Sequence, residues 1–297
     1  MSDAGTAAIA AKLRRVLGVA AVRWESLAHR GYTNNGRWLV ALADGRTVFV
    51  KAAVDGQTAG WLRAEQRIYA ALREPFLPRM LGWDDDGALP VLVLEDLSSA
   101  AWPPPWTPAA IGAVRELLRT VAGTRPPPGI RQLADQREAL AGWGLVERDP
   151  EPLLRLGLCS PAWLDRCLPS LRTAADAAPL AGEALVHGDV RSDNLCLRDG
   201  RALLVDWNQA VAGNALFDKI SWLPSLHAEG GPLPEELGLQ QAPGAPELIA
   251  LIAGYFAARA GLPPIPHAPR VRDVQREQLK VALPWAARTL GLPPPTT

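Results

Sequence analysis

Two acidic residues and one amide stand out in the stretch 184–210. Asp189 follows a short apolar run, Asn194 lies five positions later, and Asp206 follows a second apolar run. An amide oxygen and a carboxylate suit Mg²⁺, which takes oxygen ligands and usually completes its shell with water and substrate phosphates. A further carboxylate can accept a proton from an attacking hydroxyl. These residue types therefore allow metal-assisted transfer of a phosphoryl group.

A tight turn explains how the two metal-ligand candidates can meet. Apolar residues flank Asp199-Gly200 on both sides. Asp-Gly between apolar runs predicts a β-hairpin. The hairpin is expected to bring Asn194 and Asp206 to the same end, near Asp189.

The segments HGDVRSDN and LLVDWNQA, which contain Asp189 and Asp206, resemble the motifs of the aminoglycoside phosphotransferase family. The resemblance implies a kinase-like site in which Asp189 is the catalytic base and Asn194 and Asp206 bind Mg²⁺. Arg191 occupies the position where protein kinases carry a lysine that steadies the transferring phosphoryl group, so the resemblance makes it a second catalytic residue. His187 is expected to support the loop.

A lysine in the middle of an apolar strand is the next chemical signal. Residues 46–53, RTVFVKAA, predict a strand that is buried on both faces except at Lys51. A buried ammonium is costly unless its charge is paired. Nucleotide phosphates and a carboxylate from the next helix would both serve as partners.

That helix is expected at residues 58–73, with Glu65 on its inward face. The apolar residues that mark this face are Trp61, Ile68 and Leu72. The family resemblance implies that Glu65 pairs with Lys51 and that both residues serve the nucleotide site. A local pair between Glu65 and Arg63 or Arg67 is the alternative.

A glycine-bounded loop, GYTNNG at residues 31–36, lies between two predicted strands. It is not a Walker A loop, because Arg37 and Trp38 stand where that motif requires Lys and Ser or Thr, and a strand follows. The resemblance implies a turn that covers the nucleotide phosphates, whereas a plain hairpin loop is the alternative. The nucleotide-binding residues expected here are Thr33, Asn34 and Asn35.

The segment Glu95-Asp96-Leu97 follows a predicted strand, and in the family it forms the hinge between two lobes. The resemblance implies that backbone groups at Glu95 and Leu97 bind the purine. Backbone recognition is insensitive to side-chain identity, so the donor is expected to be either ATP or GTP.

Composition excludes several other classes of protein. The 297 residues are 48% hydrophobic and 21% charged, which predicts a folded chain with a large core. Lys plus Arg equals Asp plus Glu, at 31 each, so there is no support for a nucleic-acid or membrane-surface partner. The longest apolar run, 248–258, is too short to span a bilayer. Three cysteines without CxxC spacing favour the reducing cytoplasm.

Together these observations predict an α+β, bilobal, protein-kinase-like fold. Residues 1–97 are expected to form the nucleotide-binding lobe, with an antiparallel sheet and one helix, and residues 98–297 a mainly helical lobe for catalysis and acceptor binding.

The expected activity is transfer of the γ-phosphate of ATP or GTP, with Mg²⁺, to a hydroxyl of an antibiotic of the aminoglycoside, peptide or nucleoside type, with a role in resistance. A metabolic kinase of a sugar, amino sugar, choline or amino acid is the alternative. A pseudokinase is disfavoured because no catalytic group is missing from the sequence. The sequence carries no signal for the oligomeric state.

Overall fold

The computed structural model describes residues 3–27, 36–266 and 268–295. These residues form two compact units. One unit combines the chain up to Pro103 with Asp193–Ala210, and the other combines Pro104–Ser192 with the chain from Val211 onward. The lobe boundary expected after residue 97 stays a prediction.

The first unit is built on a five-stranded antiparallel sheet with the order β1-β2-β3-β5-β4. The turn from β2 to β3 is made at Asp44-Gly45, where Gly45 has a φ of 84° that few other residues adopt. The strands are β1 (Ala21–Ser26), β2 (Gly36–Leu42), β3 (Thr47–Ala52), β4 (Met80–Asp84) and β5 (Val91–Glu95).

Helices α1 (Asp3–Leu17) and α2 (Gly56–Ala71) accompany this sheet. Ile9 and Leu13 of α1 join the core formed by the sheet's valines. The α2 helix begins after Asp55, whose side chain accepts the N–H of Thr58 in a capping box. Asp and Thr at this spacing therefore fix where the helix starts.

The buried face of α2 differs slightly from the predicted one. Leu62, Ile68 and Tyr69 are buried, whereas Trp61 and Leu72 are only half-buried. The buried face is thus rotated by one position, for example from Trp61 to Leu62. The rotation leaves Ile68 inside and Glu65 remains on the buried face.

A β-hairpin completes the first unit. Strands β7 (Leu195–Arg198) and β8 (Arg201–Leu204) pair around the Asp199-Gly200 turn, as the sequence predicted. After the hairpin, Trp207 is fully buried, and its ring packs against Phe76 at a centroid distance of 5.6 Å. The N–H of Leu204 also donates to the carbonyl of Phe76 at 2.9 Å. Residues far along the chain therefore finish the core of the first unit.

The second unit is mainly helical and holds one two-stranded sheet, β6 (Ala184–Val186) with β9 (Val211–Gly213). Its α-helices are α3 (Pro108–Gly123), α4 (Arg137–Leu140), α5 (Trp143–Arg148), α6 (Glu151–Leu154), α7 (Pro161–Asp176), α8 (Leu216–Ala228), α9 (Ala245–Ala257) and α10 (Val271–Thr289). Short 3-10 turns lie at Leu133–Gln136, Ser192–Asn194, Trp207–Gln209, Pro234–Leu237 and Leu239–Gln241, the third of these in the first unit and the second at the boundary between the units.

Helix α9 forms the centre of the second unit. Nearly all of its side chains are buried, and α7 and α10 pack against it. Trp143 donates its indole N–H to the carbonyl of Ala250 at 2.8 Å. A Cβ at position 254 would come within 2.6 Å of the Trp143 ring, so Gly254 permits this close packing.

Within the ranges described, none of the helices is long and apolar enough to cross a membrane.

Candidate active site

The first unit contains a buried pair formed by Lys51 of β3 and Glu65 of α2. The Lys51 Nζ lies 2.6 Å from Glu65 Oε2, and the side chains are 3% and 2% exposed. The expected pair is therefore present, and Arg63 instead binds Asp85. Burial alone would lower the pKa of Lys51, but the carboxylates of Asp206 and Glu65 raise it above its ordinary value. Lys51 is thus held as a cation.

Asp206 supplies the second carboxylate to Lys51. Its Oδ1 accepts hydrogen bonds from Lys51 Nζ at 2.8 Å and from Asn208 Nδ2 at 2.6 Å. The backbone of Asp206 is left-handed, with φ 63° and ψ 55°. A non-glycine residue in this conformation is uncommon, and such residues concentrate at functional sites. The hairpin that precedes Asp206 aims its carboxylate at the Lys51 ammonium.

Arg37 of β2 is a member of this cluster that the sequence analysis did not identify. It pairs in register with Lys51 of β3, and its Nη2 lies 3.8 Å from Asp206 Oδ2. Its side chain is 9% exposed. Strand alternation could have indicated Arg37 in the sequence. Residues opposite each other on paired strands share a face, so Arg37 lies on the same face as Lys51.

Asn194 lies close to the strand end that leads into Asp206. Asn194 is buried, and its backbone carbonyl accepts the N–H of Val205 at 3.0 Å. The hairpin therefore brings the two expected metal ligands to the same end, as predicted.

The donor set formed by Asn194 and Asp206 suits Mg²⁺, because one amide and one carboxylate leave several positions for water and phosphate oxygens. Among the described residues, no three His, Cys, Asp or Glu side chains cluster as a self-sufficient metal site. A metal held by Asn194 and Asp206 would take its remaining ligands from water and phosphate oxygens.

The expected catalytic loop belongs to the second unit. Asp189 is 40% exposed at its side chain, and its two carboxylate oxygens lie 2.9 Å from Arg191 Nε and 3.1 Å from Arg191 Nη2. The N–H of Asp189 donates to Nδ1 of the fully buried His187 at 3.2 Å. Arg191 thus contacts the proposed base directly, and His187 holds the backbone as expected. Proximity of Asp189 to the metal-ligand candidates stays a prediction.

Asp218 at the start of α8 supports the same loop from behind. Its carboxylate accepts the N–H groups of His187 at 2.6 Å and of Gly188 at 2.9 Å. Gly188 has a φ of 83°, which favours glycine at this turn. Burial raises the pKa of Asp218, and His187 and the two N–H groups only partly oppose the rise.

A second support of the loop was not predicted. Ser192 Oγ donates to Glu229 Oε1 at 2.6 Å, and the indole N–H of Trp106 donates to Glu229 Oε2 at 2.9 Å. The Trp106 ring packs edge-on against Trp222 at 5.7 Å. Glu229, just beyond α8, therefore connects the expected catalytic loop to Trp106, which lies just before α3.

Of the expected hinge residues, Glu95 ends β5 and Leu97 follows two positions later. The Glu95 carboxylate binds Arg198 at 3.0 and 3.2 Å and accepts the N–H of Arg79 at 2.8 Å. The carbonyl of Leu97 accepts the N–H of Ala100 and the indole N–H of Trp102. The Glu95 side chain therefore stabilises the end of β5, and purine binding at Glu95 and Leu97 stays a prediction. The predicted loop residues Thr33, Asn34 and Asn35 lie outside the described residues.

The antiparallel sheet, the Lys–Glu pair and the mainly helical second unit define a kinase-like phosphotransferase fold. The model of the phosphotransferase enzyme family, APH, matches residues 26–265. This match spans most of the sequence, so the chain belongs to that family and is a phosphotransferase. A search of curated proteins finds no match of significance.

Solved structures agree with the family assignment. The structure of a thermostable mutant of aminoglycoside phosphotransferase APH(4)-Ia with AMP-PNP and hygromycin B has a TM-score of 0.59 and 17% identity, covering 96% of this chain and 98% of that chain. A choline/ethanolamine kinase family protein from Mesorhizobium loti has a TM-score of 0.56 and 18% identity, covering 91% of each chain. Macrolide 2′-phosphotransferase type I has a TM-score of 0.51 and 17% identity, covering 98% and 94%. These likenesses confirm the predicted fold class.

Proposed function

We propose that this phosphotransferase moves the γ-phosphate of ATP to a hydroxyl group of a small-molecule antibiotic of the aminoglycoside, peptide or nucleoside type. The observation that carries the proposal is the buried cluster in which Lys51 contacts both Glu65 and Asp206. A strand-borne ammonium held by a helix carboxylate is the arrangement that binds nucleotide phosphates in kinases. The likeness to a protein whose structure contains AMP-PNP supports ATP over GTP as the donor.

In the proposed mechanism, Asp189 accepts the proton of the acceptor hydroxyl as its oxygen bonds to the γ-phosphorus. The bond from that phosphorus to the bridging oxygen breaks, and the nucleoside diphosphate leaves. The two contacts from Arg191 orient the Asp189 carboxylate. Lys51 binds the donor phosphates and Glu65 fixes Lys51. Asn194 and Asp206 would hold Mg²⁺, which would neutralise part of the phosphate charge.

A role in antibiotic resistance and a cytoplasmic location belong to the same proposal. Free buried thiols at Cys159, Cys167 and Cys196 suit a reducing compartment. A specific observation favours a second candidate: the likeness to the choline/ethanolamine kinase family protein is nearly as close as that to the aminoglycoside enzyme. The alternative is therefore a metabolic kinase whose acceptor is choline, a sugar, an amino sugar or an amino acid.

A panel assay tests the acceptor class. The protein with Mg²⁺ and either ATP or GTP is offered aminoglycosides including hygromycin B, macrolides, peptide and nucleoside antibiotics, choline, sugars, amino sugars and amino acids. Acceptor-dependent release of the diphosphate is measured, and mass spectrometry detects the added phosphoryl group. We expect phosphorylation of an antibiotic, absent in Asp189→Asn. Phosphorylation of choline or a sugar alone would replace the resistance proposal with the metabolic one.

A further inference from the structure

Arg37 occupies an unusual position for a guanidinium. It lies near the start of a strand, its residue is 8% exposed, and its register partner on the next strand is Lys51. An apolar side chain would ordinarily fill an inward position of a sheet, since burying an ion is costly unless its charge is balanced. The position therefore requires a compensating anion.

The described residues supply a balance of two cations and two carboxylates. Lys51 lies 2.6 Å from Glu65 and 2.8 Å from Asp206, and Arg37 lies 3.8 Å from Asp206. Burial is the largest influence on both pKa values: it lowers that of Lys51 and raises that of Glu65. The charge of Arg37 lowers both pKa values. The four groups thus form one electrostatic unit.

This balance would change if the Asp206 carboxylate also held a divalent metal ion. Arg37 would then share the Asp206 carboxylate with a divalent cation, and the local charge would become more positive. The polyphosphate of a bound nucleotide would supply a compensating anion. A guanidinium is suited to it, because its planar fork can donate two hydrogen bonds to phosphate oxygens.

We propose that Arg37 is a second phosphate-binding residue of the donor site, which contacts the nucleoside di- or triphosphate alongside Lys51. The inference rests on the proposed function, since it assigns a residue to the donor of that reaction. It adds a cation that the family resemblance did not supply. A purely positioning role, in which Arg37 only holds Asp206, is the competing explanation.

The test measures nucleotide affinity by titration calorimetry, with adenosine as a phosphate-free probe and with chelator to remove divalent metal. Loss of a charge-assisted contact is expected to weaken ADP and ATP binding about 10–100-fold in Arg37→Ala and Arg37→Met. Adenosine affinity should not change, and Arg37→Lys should fall between. Arg37→Met keeps an extended side chain in the strand if the alanine variant folds poorly.

Arg46→Ala is the matched control, because Arg46 is an exposed arginine just before β3, and its guanidinium binds Asp44. It should bind ADP like the wild type. The Asp206→Ala background separates the two roles of Arg37. If Arg37 contacts phosphate, Arg37→Ala still weakens ADP binding about tenfold or more in that background.

Three results would overturn the inference: unchanged ADP affinity in both Arg37 variants, an equal loss of adenosine affinity, or disappearance of the effect in Asp206→Ala. Each of them leaves the proposed function intact as long as the wild type binds ATP. A wild type that binds neither ATP nor ADP would reject the proposed function, and this inference with it.

Discussion

At the scale of single residues, the site depends on one ammonium between two carboxylates. Lys51 is buried, and its Nζ contacts Glu65 and Asp206 at hydrogen-bond distance. Tyr69 also donates to Glu65, at 3.4 Å. Such an arrangement holds the ammonium in one position with its charge retained. Its geometry is fixed by contacts between groups of the protein itself.

Breaking the Lys51–Glu65 pair is expected to lower the free energy of unfolding. Lys51→Met leaves the Glu65 carboxylate buried without its closest cation, and removing one partner of a buried pair costs about 3–5 kcal/mol. We expect that loss in the free energy of unfolding, measured with urea. The double variant Lys51→Met/Glu65→Leu should recover part of it, because no buried charge remains at position 65. A double variant less stable than the single one would contradict the account.

The pairing of Lys51 with Glu65 was predictable because two local patterns each place a charge inward. Arg37 was missed because Arg37 and its neighbour Trp38 are both buried, so burial does not alternate at the start of β2. The pairing of Arg37 with Lys51 is known only from the strand register. The Ser192–Glu229–Trp106 contacts could not be predicted. They join residues distant in sequence, and no spacing rule connects them.

At the scale of elements, an ion pair joins the end of β5 to the β7–β8 hairpin. Glu95 binds Arg198 of β7 and the N–H of Arg79. Burial alone would raise the pKa of Glu95, but these hydrogen bonds lower it below its ordinary value. The end of β5 is therefore anchored through an ionised carboxylate.

This anchor predicts a pH dependence. A lowered pKa in the folded state contributes stability above the unfolded pKa of about 4.3, and that stability is lost as pH falls through the lower folded value. The stability advantage of the wild type over Glu95→Gln should thus shrink as pH falls below about 5. Urea unfolding across this range measures it. An advantage that grows on acidification would show that Glu95 is not ionised in this pair.

Elements were predictable where the local pattern was strong. The Asp199-Gly200 hairpin formed as expected, and helix α2 formed two residues earlier than the predicted 58–73, since turn chemistry and helical spacing are local properties. The short helices α4, α5 and α6 were not resolved from the sequence, because four to six residues show too little of a helical period.

At the scale of the whole molecule, sequence order and structural units do not coincide. The first unit needs Asp193–Ala210, which supplies Trp207 against Phe76 and packs Cys196 and Leu203 against Leu97. Linear reading of the chain cannot show this, because the pairing depends on the three-dimensional fold.

The discontinuity predicts that residues 1–103 do not fold alone. Without the later segment, the surfaces of Phe76 and Leu97 that it covers are exposed to water. Circular dichroism during heating should show no cooperative transition for this fragment, whereas a version joined to residues 193–210 by a flexible linker should unfold cooperatively. Cooperative unfolding of both at the same temperature would contradict this description of the unit.

The most direct test of the central claim compares Asp189→Asn with the wild type, using ATP radiolabelled at the γ-phosphate and the acceptor found in the panel. The amide keeps the size of the side chain but cannot accept the hydroxyl proton. Transfer to the acceptor should fall about 10²–10⁴-fold while ATP affinity stays unchanged. Transfer close to the wild-type rate would contradict the assignment of Asp189 as the base.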